Sequence, residues 1–294
     1  MENKSSNFVT SNLTGVGQIM LQENKWTGLL FLVGICYGSL VMGAAVILST
    51  LVGTLTAQLL HYDKEEIRSG LYGFNAALVG AALTFYFEAN AMVWATLVVG
   101  SAVSTLVMHF FLSKKLPAYT FPFIATTWVC VYLLLHVVGM VYKQQPPIQE
   151  AYVDALTVSS HGFGEVIFQG SVLAGVIFFL AIFINSPISA LYGLVGAIIG
   201  VSVSHYLHEP MEEINFGLFS FNAVLCAIAF AGDKPKDGVY VLIATALSVL
   251  IDAFMVAYRL IPLTFPFVLA SWITLLIKWL ISLAPRQAPA QAAD

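Results

Sequence analysis

Between Leu29 and Leu60 the chain runs for 32 residues without a charged side chain. A bilayer core about 30 Å thick is crossed by about 20 apolar helical residues, so this run holds two passages, with a break at Gly38-Ser39. Further apolar segments span 71–87, 91–112 and 120–142. A polar stretch from Lys143 to Ser160 follows, with Pro146-Pro147 inside it. Beyond it come 166–184, 187–207, 216–231, 238–258 and 264–284. Five segments therefore lie on each side of one linker. The shortest, 71–87 and 216–231, are expected to be bent or incomplete.

Water-soluble alternatives fail on charge. Twelve Lys and Arg with 16 Asp and Glu, 10% of the chain, cannot clothe 294 residues whose mean hydropathy is +0.86; a soluble domain carries about 25% charged residues. A soluble enzyme, a nucleic-acid binder and a disordered chain are excluded, and a net charge of -4 with no basic run offers nothing to a polyanion. Cys36, Cys130 and Cys226 lie in apolar stretches without metal spacing and read as small core residues. Residues 1–27 lack the apolar centre of a cleavable signal peptide. The fold class expected is an all-α membrane protein with ten transmembrane segments.

Threading ten crossings gives each loop a side. The face holding the N-terminus collects Lys4, Lys25, Lys64, Arg68, Lys114, Lys115, Lys234, Lys236 and Arg286, while the other keeps Lys143 and Arg259. Basic residues accumulate on the cytoplasmic side, so both termini are expected there.

The chain also repeats itself. Residues 15–78 align without a gap to 162–225, with 19 identities in 64 positions. Gly15-x-Gly17 matches Gly162-x-Gly164, and Glu65-Glu66-Ile67 matches Glu212-Glu213-Ile214. Phe74-Asn75-Ala76-x-Leu78 returns as Phe221-Asn222-Ala223-x-Leu225. An odd number of crossings per copy makes the copies antiparallel. Two inverted five-helix repeats follow, with paired re-entrant or short pore helices and a path along the pseudo-two-fold region. The expected division is a cytoplasmic tail 1–13, a first half-pore 14–142, an extracytoplasmic linker 143–160, a second half-pore 161–284 and a cytoplasmic tail 285–294.

A second matched pair is Leu116-Pro117-Ala118-Tyr119-Thr120-Phe121-Pro122-Phe123 and Ile261-Pro262-Leu263-Thr264-Phe265-Pro266-Phe267. With the Phe-Asn-Ala-x-Leu and Gly-x-Gly-[Gln/Glu] pairs, the chain resembles the urea transporter family over residues 14–284. The second copy departs from the signature, with one residue fewer between Pro262 and Thr264 and Ile261 in place of Leu. The resemblance implies a homotrimer with one pore per protomer and passive, channel-like passage of urea and close amide analogues. It implies no cofactor. The chain's compactness suggests a bacterial member, in the inner (cell) membrane.

Urea is flat and neutral, with four N–H bonds to donate and one carbonyl to accept. A dry pore strands those groups, at several kcal/mol each, unless protein acceptors replace water. The pore needs a flat slot with oxygens along its edge. The resemblance assigns the slot to Phe74 and Phe221. Leu78 and Leu225, four residues on, share their helical face. Ile19 and Val166, with Leu21 and Phe168, are expected as side walls, and Leu21 offers no flat ring. Ordinary helix packing remains open for each of these, above all for Ile19, Leu21 and Val166. Gln18 and Glu165 supply acceptors, and an ionisable group at membrane depth points to function, although a helix-terminal acid near the linker stays open for Glu165. Thr120 and Thr264 offer hydroxyls at Pro-containing helix starts, where they also suit N-capping. Asn75 and Asn222 are expected to tie the short helices to their neighbours.

Three features compete. Asp252 lies inside an apolar segment, and the 147-residue offset pairs it with Thr105; it reads as a packed acid or as a proton-coupling group. His205, His208 and Glu209 cluster without the His-Glu-x-x-His spacing of a zinc hydrolase, so no metal is expected. No nucleophile–base constellation supports an enzyme. A channel for ammonia, water or short amides, and a proton-coupled transporter, are the alternatives to urea conduction.

Overall fold

The computed structural model describes residues 4–144 and 155–283. The tail 285–294, Arg286, Pro146-Pro147 and most of the linker lie outside the described residues. No strand occurs among those described, and fourteen α-helices follow one another. They are α1 (Lys4–Gln18), α2 (Lys25–Gly38), α3 (Leu40–Leu59), α4 (Lys64–Arg68), α5 (Phe74–Tyr86), α6 (Ala91–Ser113) and α7 (Phe121–Tyr132), which continues as a π-helical turn over Leu133–Val137. After the linker come α8 (Ala155–Gly164), α9 (Val172–Asn185), α10 (Pro187–Tyr206), α11 (Met211–Asn215), α12 (Phe221–Phe230), α13 (Pro235–Ala257) and α14 (Phe265–Leu283). Each of the ten apolar segments forms a helix. Five of these, α3, α6, α10, α13 and α14, are long and apolar enough to cross a bilayer singly. The chain is an all-α membrane protein.

The remaining apolar helices are shorter. At 1.5 Å per residue a helix needs about 20 residues to span the hydrocarbon, whereas α2 has 14, α5 has 13 and α12 has 10. A sharp bend of 80° joins residues 157–167 to α9. Helix α1 starts at Lys4, inside the segment 1–13 expected as a tail, and packs against α2. Its polar sequence conceals it: no apolar run marks it as a membrane element.

The break expected at Gly38-Ser39 is made by one residue. The Ser39 N–H donates to the Ile35 carbonyl and closes α2, while its hydroxyl accepts from Met42 N and opens α3. Ser186 performs both tasks between α9 and α10, bonding Ile182 O and Ser189 N. The helices α2, α3 and α4 reappear as α9, α10 and α11 shifted by 147 residues at both ends. Helix α12 begins 147 residues after α5 but is 10 residues long against 13, about one turn shorter. From there the shift is 144: α6 matches α13, and Thr120 matches Thr264. Asp252 is therefore equivalent to Met108, which corrects the pairing with Thr105. Asn222 Nδ2 donates to Asp252 Oδ2 at 3.0 Å where Asn75 Nδ2 meets Met108 Sδ at 3.6 Å.

The backbone carries the same register. Left-handed residues fall in pairs, Leu21 with Phe168, His61 with His208, Lys115 with Arg259 and Tyr119 with Leu263. Each non-glycine residue held there costs about 1–3 kcal/mol and persists because its surroundings enforce it. Gly70 and Gly217 form a fifth pair, with φ of 78° and 85°. A side chain on either would also strike backbone, that of Thr14-Gly15 or of His161-Gly162.

Two seams join the halves, and equivalent residues meet in both. Between α2 and α9 the rings of Phe31 and Phe178 pack edge to face, with centroids 5.1 Å apart. Thr27 Oγ1 donates to Ala181 O nearby, and Asn185 bridges to Gln22 and Asn24. Between α7 and α14, the Thr120 and Thr264 hydroxyls lie 2.7 Å apart. Trp128 Nε1 donates to Ile261 O and Trp272 Nε1 donates to Pro117 O, reciprocal bonds across the seam.

Candidate functional site

Helix α8 ends at Gly164, where any larger residue would collide with the Gln169 carbonyl. A single 3₁₀ turn over Glu165–Ile167 and left-handed Phe168 then swing the chain into α9. This turn presents Glu165 and Phe168 to the interior. In the first half Gly17 lies against the Gln22 carbonyl, and Leu21 takes the position of Phe168.

A cavity of about 170 Å³ opens beside the second turn. Its wall brings together Glu165, Val166 and Phe168 from the turn, Phe221 from α12, and Thr264 at the start of α14. Those are five of the twelve residues picked out from the sequence. Asp252 of α13 and Glu213 of α11 also line it. A wider cavity of about 450 Å³ shares Glu165, Phe168 and Leu218 and reaches Lys143 and Gln169. The first half contributes Phe85 and Tyr86 from the end of α5. The Phe85 ring lies 4.9 Å from that of Phe168, centroid to centroid.

Thr264 marks where this cavity meets the other half, through its contact with Thr120. Asn222 fixes the approach: it donates to Leu263 O, accepts from Phe267 N and holds Asp252. Asn75 bonds Tyr119 O and Phe123 N in the same way. Both asparagines thus anchor the first turn of the helix that follows the threonine.

The other residues picked from the sequence do not line the cavity. Leu225 is buried one turn deeper in α12. Ile19, Phe74 and Leu78 are buried in the first half and Leu21 is half-buried. Gln18 is buried, with Nε2 donating to Ser69 O. At the position equivalent to Phe219, Tyr72 donates to Glu66 Oε2 at 2.6 Å and lies 3.0 Å from His109 Nδ1. The Tyr62 ring stacks on His109, with centroids 3.6 Å apart. At this end of the molecule the polar side chains are bonded within the half.

Charge separates the two ends. No Lys, Arg or His is among the described residues lining the 170 Å³ cavity. Burial, with Glu209 and Glu212 nearby, raises the Glu213 carboxyl above the ordinary carboxylate range. Among the described residues there is no group of three or more His, Cys, Asp and Glu arranged to hold a metal ion.

Sequence reasoning missed Phe85, Tyr86, Glu213 and Phe219. A signal for two of them was present, because Glu213 and Phe219 sit in the repeated loop that contains Glu66 and Tyr72. Phe85 and Tyr86 carried none, since they reach the cavity from the opposite half.

The urea transporter family model matches residues 9–279. The chain is 30% identical over 242 residues to urea transporter 1 of Ovis aries, and 30% identical over 247 residues to urea transporter 1 of Mus musculus. To urea transporter 1 of Rattus norvegicus it is 29% identical over 250 residues. These matches cover 76% of this chain and 63% of each relative, so the chain spans less than two thirds of their length.

Proposed function

We propose that this chain, which belongs to the urea transporter family, conducts urea and close amide analogues passively down their gradient. The observation that carries the reading is the cavity where Phe168, Phe221, Glu165 and Thr264 converge and whose floor touches Thr120. Aromatic faces suit a flat solute, and a carboxylate and hydroxyls accept the N–H bonds that desolvation would strand. The path continues from the threonine pair into the first half, past Thr120, Leu78 and Phe74 to Leu21, Ile19 and Gln18. Val166 and Leu225 complete the wall on the side of the cavity. No step of this passage makes or breaks a covalent bond, and no cofactor takes part.

The halves are an inverted repeat. Contacts between equivalent residues, Phe31 with Phe178 and Thr120 with Thr264, support a two-fold relation, because equivalent positions meet only on such an axis. The skew of basic residues supports both termini on the cytoplasmic side of a bacterial inner membrane, with the cavity facing outward. The family resemblance supports a homotrimer embedded in the lipid bilayer, each protomer with its own path.

Stopped-flow urea efflux from proteoliposomes tests the reading. Purified protein should give saturable flux that is indifferent to pH gradient and voltage. Phe221→Ala should admit larger amides that the unmodified protein excludes. Flux of water or ammonia without urea would replace the substrate, and flux that collapses with the proton gradient would replace passive conduction by coupling through Glu165 or Asp252.

A further inference from the structure

The 170 Å³ cavity is lined by more carboxyl groups than a neutral solute requires. Glu165, Glu213 and Asp252 all line it. Glu165 is only 7% exposed and has no hydrogen bond or ion pair among the described residues. Asp252 is 1% exposed, and Asn222 reaches one of its oxygens. The scaffold does not demand this chemistry, because the equivalent positions of the first half hold Gln18, Met108 and a Glu66 already bonded to Tyr72. A buried carboxylate without a partner is costly, and a cation with N–H donors removes that cost.

We propose that this cavity is a binding site for a planar organic cation of the guanidinium or amidinium class. Such a cation presents N–H donors around its edge, which pair with carboxylates as two parallel charge-assisted bonds. Its flat faces stack on aromatic rings, here Phe168, Phe219 and Phe221. Glu165 and Asp252 hold its edge and Glu213 stands at the rim. The inference rests on the transport reading only in placing the cavity on the solute's path; binding itself is independent of conduction.

Isothermal titration of the full-length, detergent-solubilised protein with guanidinium chloride tests it, at concentrations far below denaturing and against sodium chloride of equal ionic strength. A saturable heat is expected with guanidinium and little with tetramethylammonium, which has the charge but no N–H. Glu165→Gln and Asp252→Asn should each weaken binding at least about tenfold, and Glu213→Gln by less. Elution as a single species, as for the unmodified protein, qualifies each variant. No saturable heat beyond that of sodium, or unchanged binding in both Glu165→Gln and Asp252→Asn, overturns the proposal. Guanidinium binding without urea flux would sink the transport reading and leave this one standing; urea flux without guanidinium binding would do the reverse.

Discussion

The two ends of this molecule share a backbone and differ in how their polar groups are employed. In the first half, Gln18 donates to Ser69 O and Glu66 accepts from Tyr72. In the second, Glu165 has no N–H to donate to a carbonyl, and Phe219 in place of Tyr72 has no hydroxyl to offer Glu213. Two substitutions at equivalent positions thus leave two carboxyl groups facing a cavity, while their counterparts Gln18 and Glu66 are bonded to Ser69 and Tyr72. A repeat fixes where side chains stand; their identity decides which of them find a partner within the half. The difference also explains why Phe221 is half-buried and borders a cavity whereas Phe74 is buried.

The largest effect is expected where the halves are the same. A methyl group at Gly28 would overlap the Leu13 carbonyl, and one at the equivalent Gly175 would overlap that of Ser160. Backbone cannot yield as a side-chain tip does, so Gly28→Ala and Gly175→Ala should each cost more than about 3 kcal/mol. Thermal unfolding of the detergent-solubilised protein, followed by circular dichroism, measures this. A large loss in one half and none in the other would mean that the α1–α2 and α8–α9 contacts do not share one geometry.

A smaller effect probes where the halves differ. Tyr72→Phe gives the first half the ring that the second already has, and leaves Glu66 and His109 without the bridging hydroxyl. Glu66 is half-exposed and regains water, so the loss should be about 1 kcal/mol. Phe219→Tyr should bring no such loss, because the added hydroxyl has Glu213 beside the same cavity. Equal destabilisation by both changes, read from unfolding midpoints, would show that ring packing rather than the hydroxyl bond separates the two ends.

Much of this was legible in the sequence, for physical reasons that particular residues make plain. The ten apolar runs become helices because the bilayer demands internally bonded backbone, and Ser39 marked the break because its side chain can cap while its backbone closes the previous turn. The offset of 147 gave the register up to Phe221. It failed beyond α12, whose loss of about one turn moves Asp252 opposite Met108 rather than Thr105. Motif spacing brought Glu165, Phe221 and Thr264 to one wall. It could not reveal Phe85 and Tyr86, because their place depends on a contact between halves that leaves no local pattern. Run length did mark 71–87 and 216–231 as too short for a full crossing, in keeping with the 13 residues of α5 and the 10 of α12.

The smallest effect belongs to the point where the ends meet. Thr120 and Thr264 are 2% and 3% exposed, and each hydroxyl is the other's partner across the seam. Thr120→Val or Thr264→Val alone leaves a buried hydroxyl stranded and should cost about 1 kcal/mol. The double variant strands nothing, so its cost should fall short of the sum by about 1 kcal/mol in a double-mutant cycle of unfolding free energies. Neither change alters an apolar contact by more than one atom, so the coupling isolates the bond itself. Strict additivity would mean that the seam is held by the reciprocal tryptophan bonds of Trp128 and Trp272, and that the two ends can respond to solute independently.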